Sequence, residues 1–176
     1  MKYNVITYGN PILRKKSGEV EEINEEVKKL ISDMIEIMSK KGGIGLAAPQ
    51  MGVSKQIAII GYPKKPFALI NPKILRQEGE KKTVEEGCLS VPGIRANVER
   101  EDFVEVEFLD QKGNKKILQA EDMLARVIQH EIDHLKGKLF IDRLGLGQKL
   151  KILPKLQRLK LKGNQESGIR NHEFRD

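Results

Sequence analysis

The stretch DMLARVIQHEIDHLKG, residues 122–137, decides how this chain is read. Met123, Val127, His130 and His134 recur at spacings of three and four, the period of one helix face. That predicts a helix over 122–136, stopping near Gly137. Inside it, His130-Glu131-Ile132-Asp133-His134 spells H-E-x-x-H. Residues at i and i+4 are neighbours on a helix, so both imidazoles can reach one metal ion. Glu131, offset by one position, stands beside the ligands, where it can hold a water. The chain has only three histidines, so this spacing around a glutamate rarely arises by chance. The plain alternative is two packed or solvated histidines on a charged helix.

A hydrolytic metal site uses three protein ligands and keeps a fourth position open. One branch of the H-E-x-x-H peptidases continues to a third histidine three residues after a glycine. This chain matches that pattern through Gly137 and then places Phe140, which cannot coordinate. Asp142, Glu166 and His172 lie downstream without a supporting context. The best remaining ligand is upstream, Cys88 in Glu86-Gly87-Cys88-Leu89-Ser90. A lone cysteine is often a small buried hydrophobe. Here the adjoining glycine and the missing third ligand favour coordination. A single cysteine excludes an internal disulfide and suits a reducing cytoplasm. The N-terminus lacks a signal-peptide apolar run, and no 18-residue apolar span points to a membrane.

Outward from the motif, a first helix is expected over 24–41, capped by Asn24, with Glu25 and Glu26 at its start and Lys40 and Lys41 at its end. Val27, Leu30, Ile31, Met34, Ile35 and Met38 form its apolar stripe, and Gly42 suits the left-handed exit. Gln56–Ile60 and Phe67–Asn71 read as short buried strands. Phe103–Leu109 alternates, with Val104, Val106 and Phe108 on one face, and turns through 111–114 into a partner at Lys115–Gln119. Strands and helices are segregated rather than alternating. The fold class is therefore α+β: one compact domain over 1–163, of mainly antiparallel strands around a central helix bearing H-E-x-x-H. Residues 164–176 read as a polar, flexible tail.

Gly43-Ile44-Gly45-Leu46-Ala47-Ala48 matches G-x-G-x-x-A, a dinucleotide fingerprint, but in the wrong context. A helix precedes it rather than a strand, Pro49 and Gly52 interrupt any helix after it, and no acid follows it until Glu78. No dinucleotide is expected. Two readings remain: a tight turn of small residues, or a backbone that comes close to a ligand.

Taken together, Gly43–Gln50, Glu86–Ser90 and Gln129–His134 resemble the peptide deformylase family, in its order and across its catalytic domain. The resemblance implies removal of the formyl group from the formyl-methionine of newly made polypeptides, in the cytoplasm, with release of formate. It implies one divalent metal ion, Fe(II) or Zn(II), on Cys88, His130 and His134, with Glu131 as general acid/base. Gln50 and the Leu89 backbone N–H would steady the oxyanion. Ile44, Gly45, Arg95, Arg126 and Val127 would bind substrate, with Ile44, Val127 and the His130 face walling the methionine pocket. Arg126 departs from the apolar residue expected there. Its stem is expected along the pocket wall, with its head in water.

Two rival readings are a metallopeptidase of the H-E-x-x-H class and a basic RNA-contacting protein with a structural Cys/His site. The first lacks its downstream ligand. The second needs four closed ligands and aromatic stacking clusters, yet aromatics make up 5% of the chain. Net charge is +7, and residues 144–163 hold six basic residues and no acid. Lys151, Lys155, Arg158 and Lys162 recur at helical spacing beside Ile152, Leu156 and Leu159. A basic helix is expected, starting near Pro154, with a strand from Arg158 as the alternative; segment 149–162 would dock on the ribosome surface.

Overall fold

The computed structural model describes residues 4–167. Helix α1 spans Glu25–Lys40, and the Asn24 side chain accepts from the Val27 N–H at 3.0 Å, capping it as expected. Its buried residues are Leu30, Ile31, Met34, Ile37 and Met38. Val27 and Ile35 are only half-buried, at the margin of the contact.

Five antiparallel strands come next in a meander, β1 (Gly45–Ala47), β2 (Ile57–Ile60), β3 (Phe67–Cys88), β4 (Val91–Leu109) and β5 (Lys115–Glu121), neighbours in the order β1-β2-β3-β4-β5. Helix α2, Asp122–Leu135, lies on one face of this sheet and α1 on the other. Ile57 and Ile59 join the α1 cluster, while Ala58 and Ile60 join Ala125, Ile128, Ile132 and Leu135 of α2. A strand covered on both faces reads as an unbroken apolar run, which is why β2 shows no alternation. Every residue from Ala125 to Leu135 is buried.

The largest difference from the sequence reading is the β3–β4 hairpin. Phe67–Asn71 opens a 22-residue strand that runs on to Cys88, and Phe103–Leu109 closes a 19-residue partner. Its outer part, from Lys73 to Glu85, carries almost no buried side chain, so hydrophobic period cannot reveal it. Cross-strand polar pairs support it instead: Lys82 to Asp102 at 2.9 Å, Gln77 to Glu101 at 2.6 Å and Lys81 to Glu99 at 3.4 Å.

Helix α3 spans Leu146–Ser167 with Pro154 inside it. This settles the helix-or-strand alternative and moves the start eight residues before Pro154. Leu150, whose carbonyl loses its helical partner to the proline, is exposed, so water can take that bond. Leu156 is buried with Val91, Ile94 and Val98 of β4, and Ile152 and Leu159 pack beside it. Leu146, Leu150, Leu153 and Leu161 face outward. The helix continues across the expected 163/164 boundary, and residues 168–176 lie outside the described residues.

Gly137 ends α2 at φ +71°, and a Cβ there would lie 2.6 Å from the Arg14 carbonyl oxygen. Gly93 has the same φ with nothing within 4 Å. Gly93→Ala therefore carries only backbone strain, about 1 kcal/mol, whereas Gly137→Ala adds a clash with backbone that cannot yield. Urea unfolding should show the Gly137 variant the less stable of the two by a further ~1 kcal/mol, as the clash requires. Equal losses would mean that α2 is not pinned to the Arg14 segment.

Candidate metal centre

The site is assembled where α2 crosses the base of the long hairpin. His130 and His134 share one face of α2, with ring centroids 5.1 Å apart. Cys88 is the last residue of β3, and the chain reverses through Leu89 and Ser90 into β4, leaving its sulfur over that face. Cys88 Sγ lies 3.2 Å from His134 Nε2. One ligand atom from each of Cys88, His130 and His134 falls within 4.8 Å of the others. A tetrahedral ion with thiolate and imidazole ligands needs such atoms roughly 3.5 Å apart, so the set fits a single ion. Phe140, standing where the rival peptidase class has a histidine, stacks on His130 at 6.2 Å.

The side chains of the cluster shift one another's affinity for protons. Burial pushes the Cys88 thiol up, but His134 and His130 beside it outweigh that and hold it well below the ordinary thiol value. Burial pulls His130 down, but Cys88, Glu86 and Glu131 more than restore its affinity for a proton. Protons held this way are ones a metal ion displaces on binding.

Glu131 is buried beside the cluster, and its Oε2 has no partner among the described residues. Burial raises its carboxyl to about 7, against the opposing pull of His130 and His134. Strand β1 passes so close that a Cβ on Gly45 would sit 2.2 Å from Glu131 Oε1. Gly45 is thus required by the close approach of β1 to the Glu131 carboxylate. Gln50, in the turn after β1, is buried; its Oε1 accepts from the Ala47 N–H at 2.7 Å. That fixes the amide so that Nε2 donates toward Ser90 Oγ at 3.2 Å and lies 3.4 Å from Cys88 Sγ.

Behind His130 lies a network that no single motif announced. Glu86 accepts from Arg100 Nε at 2.7 Å and Nη2 at 3.0 Å, from Arg126 Nη1 at 2.7 Å, and pairs with His130 Nδ1 at 3.0 Å. Arg100 also donates to Asp133 at 2.7 Å, and Arg143 grips both Asp133 oxygens at 2.6 and 2.8 Å. Burial pushes the Glu86 carboxyl up, but His130 and Arg100 outweigh it and hold it below the usual carboxylate range. Arg126 corrects an expectation. Its head is not in water but buried, donating also to the Val98 and Lys82 carbonyls. Three acceptors on the packed hairpin satisfy its fork, and the solvent route is closed by β3 and β4.

A cleft of about 1060 Å³ opens above the cluster. Ile44, Gly45, Gln50, Cys88, Leu89, Arg95, Arg126, Val127, His130 and Glu131 all line it. His134 stands behind them, 1% exposed. Sequence reading missed Lys41, Met123 and Lys155 among the lining residues. Met123 was legible, one turn before Val127 on the same helix face; Lys155, read in the sequence as part of a basic docking helix, is brought to the cleft only by the fold.

Metal-ligand atoms gathered beside an unpaired buried carboxylate, under an open peptide-sized cleft, define the class as metal-dependent hydrolase. Comparison with known proteins narrows it. A family model described as polypeptide deformylase matches residues 2–149. A peptide deformylase of Brachyspira hyodysenteriae is 42% identical, over 100% of this chain and 97% of its own. The Thermus thermophilus peptide deformylase structure superposes with TM-score 0.86 at 37% identity, covering 92% of this chain and 99% of that one. That from Synechococcus elongatus, in complex with actinonin, gives TM-score 0.81 at 40% identity, covering 92% and 86%. The chain belongs to the peptide deformylase family. It is accordingly a metal-dependent hydrolase of protein N-terminal processing, removing the N-formyl group from newly made polypeptides.

Because the folded pKa of Glu86 is depressed, its stabilisation is present above its ordinary pKa of 4.5 and is lost as pH falls through the folded value. Glu86→Gln should be less stable at pH 7, by roughly 3 kcal/mol. It should also show a flatter decline in urea midpoint between about pH 5 and 3 than the parent chain. Asp133, whose carboxyl is also held low against burial by Arg143 and Arg100, preserves part of the slope. Parallel declines in the two proteins would remove Glu86 from the acid response.

Proposed function

We propose that this chain hydrolyses the formamide bond of formyl-methionyl peptides through a divalent ion, Fe(II) or Zn(II), on Cys88, His130 and His134. The observation that carries the assignment is the convergence of those three ligand atoms within 4.8 Å beside the unpartnered Glu131 Oε2. Thiolate and imidazole suit both metals. When bound, such an ion supplies a Lewis-acidic centre and lowers the pKa of water from 15.7 toward ~7.

The residues divide the remaining work. Glu131, raised to about 7 by burial, takes a proton from the attacking water and passes it to the departing amine. Gln50 Nε2 and the Leu89 N–H steady the oxyanion that develops on the formyl oxygen, at ~3–4 kcal/mol for one such donor. Ile44, Val127 and the His130 ring wall the methionine side chain, and the Gly45 backbone aligns the peptide. Arg95 lies farther out on the cleft lining, paired with Glu85 at 3.3 Å, and meets the peptide beyond methionine. The enzyme works in the cytoplasm, where formylated chains emerge.

Release of formate from formyl-Met-Ala-Ser, with an acetylated control left intact, tests the reaction. Glu131→Ala should keep its metal while turnover falls by ~10²–10⁴-fold. Cys88→Ala should lose tight metal binding, since it removes the anionic ligand. Metal analysis alongside formate release checks both. A Glu131 variant purified without metal would make Glu131 a ligand and sink the assignment.

We also propose that segment 149–162 docks on the ribosome surface. Lys151 and Arg158 are exposed on α3 while Leu156 is buried on the domain, so the helix is fixed with its basic face outward. Phosphate contacts release counterions, so binding weakens steeply with salt. Lys151, Arg158 and Lys162 replaced together by Gln should reduce co-sedimentation with ribosomes at low salt severalfold. Co-sedimentation equal to the parent chain would leave this a solvated face.

A further inference from the structure

We propose that Lys41 and Lys155 form a cationic rim that selects formyl peptides with acidic side chains after the methionine. This rests on the reading that formyl peptides enter the cleft above Cys88 and His130. Both lysines line that cleft and both are exposed. They stand on different elements: Lys41 caps the C-terminus of α1 and leads into the Gly42–Gly45 turn, while Lys155 projects from α3, which packs on β4.

The acids that could neutralise this rim are engaged elsewhere. Among the cleft's carboxylates, Glu86 is consumed by Arg100, Arg126 and His130, and Glu131 is buried at the floor. Glu85 is paired with Arg95. No ion pair to Lys41 or Lys155 occurs among the described residues. The sequence explains why: each lysine sits in a long stretch without Asp or Glu, 37–77 for one and 143–165 for the other. Uncompensated like charges around a concave, low-dielectric mouth focus a positive potential into it.

The substrate's own chemistry sharpens the consequence. A formylated N-terminus carries no charge, so an internal stretch of a formyl peptide is attracted or repelled only through its side chains. Acidic residues after methionine are drawn in and lysines are repelled. The effect is electrostatic, reaches no farther than about 10 Å at 0.1 M salt, and fades as salt rises.

The test compares formyl-Met-Ala-Glu-Glu, formyl-Met-Ala-Gln-Gln and formyl-Met-Ala-Lys-Lys on the metal-loaded enzyme. All are C-terminally amidated, so that no terminal carboxylate mimics an acidic residue. kcat/KM should favour the Glu peptide over the Gln peptide about three- to tenfold at roughly 20 mM salt, and by less than about twofold at roughly 0.5 M. In the Lys41→Gln, Lys155→Gln double variant the ratio should fall to near one, and Lys155→Glu should shift preference toward the Lys peptide. Ratios are read within each protein, so loss of total activity does not confound them. Equal kcat/KM for Glu and Gln peptides in the parent chain, or a preference unchanged in the double variant, overturns the rim. Failure to release formate from the Gln peptide would instead overturn the reaction assigned to the cleft.

Discussion

Glu86 is the carboxylate through which hairpin and helix are joined. It stands two residues before Cys88 on β3, and it meets Arg100 from β4 and both Arg126 and His130 from α2. A buried carboxylate survives only with its lone pairs satisfied, and here four N–H groups do so. His130 and Arg100 hold Glu86 anionic, so the His130 nitrogen facing it, Nδ1, carries a proton. That leaves Nε2 as the ring nitrogen on the Cys88 side, the one whose proton an ion bound there would displace. One interaction thus fixes the hairpin base, the rotation of α2 and the chemistry of a ring nitrogen.

The second constraint is steric. The α2 face that carries Glu131 meets β1 at Gly45, where even a methyl group would overlap the carboxylate. The same helix presents apolar residues to β2, β4 and β5, so it cannot retreat without opening that cluster. Glu131 is therefore held by packing rather than by hydrogen bonds, and one of its oxygens is left unsatisfied. Leaving such an atom buried costs roughly 1–3 kcal/mol, which the fold carries beside the Cys88, His130 and His134 cluster.

How much of this could be read from the chain depends on the range of each signal. Local signals were legible: Asn24 caps α1, Gly137 ends α2, and the alternation of Val104, Val106 and Phe108 marks a half-buried strand. Spacing alone put His130 and His134 on one face, and the ligand requirement of a hydrolytic site led to Cys88. The outer hairpin was hidden because polar pairs rather than apolar period hold it. Arg126 was misplaced because a helical wheel gives its direction but not its partners. Its acceptors come from Lys82, Glu86 and Val98, far away in sequence. With 32 basic and 25 acidic residues, the chain allows too many pairings for any to be chosen without the fold.

The site's chemistry finally rests on two glutamates in the same small region of protein that are driven in opposite directions. Both are buried, and burial pushes both carboxyls up. Glu86 receives N–H donors from arginine and histidine, and those bonds reverse the shift, so it stays charged and serves as a fixed anchor. Glu131 receives none at Oε2, and the shift stands near 7, so it can exchange a proton near neutrality. Had their surroundings been swapped, the carboxylate behind His130 would carry an exchangeable proton and the one beside Gly45 would be fixed as an anion. His130 and Arg100 therefore do more than neutralise charge: by committing Glu86 to one state, they leave Glu131 as the carboxylate of the pair whose charge can change.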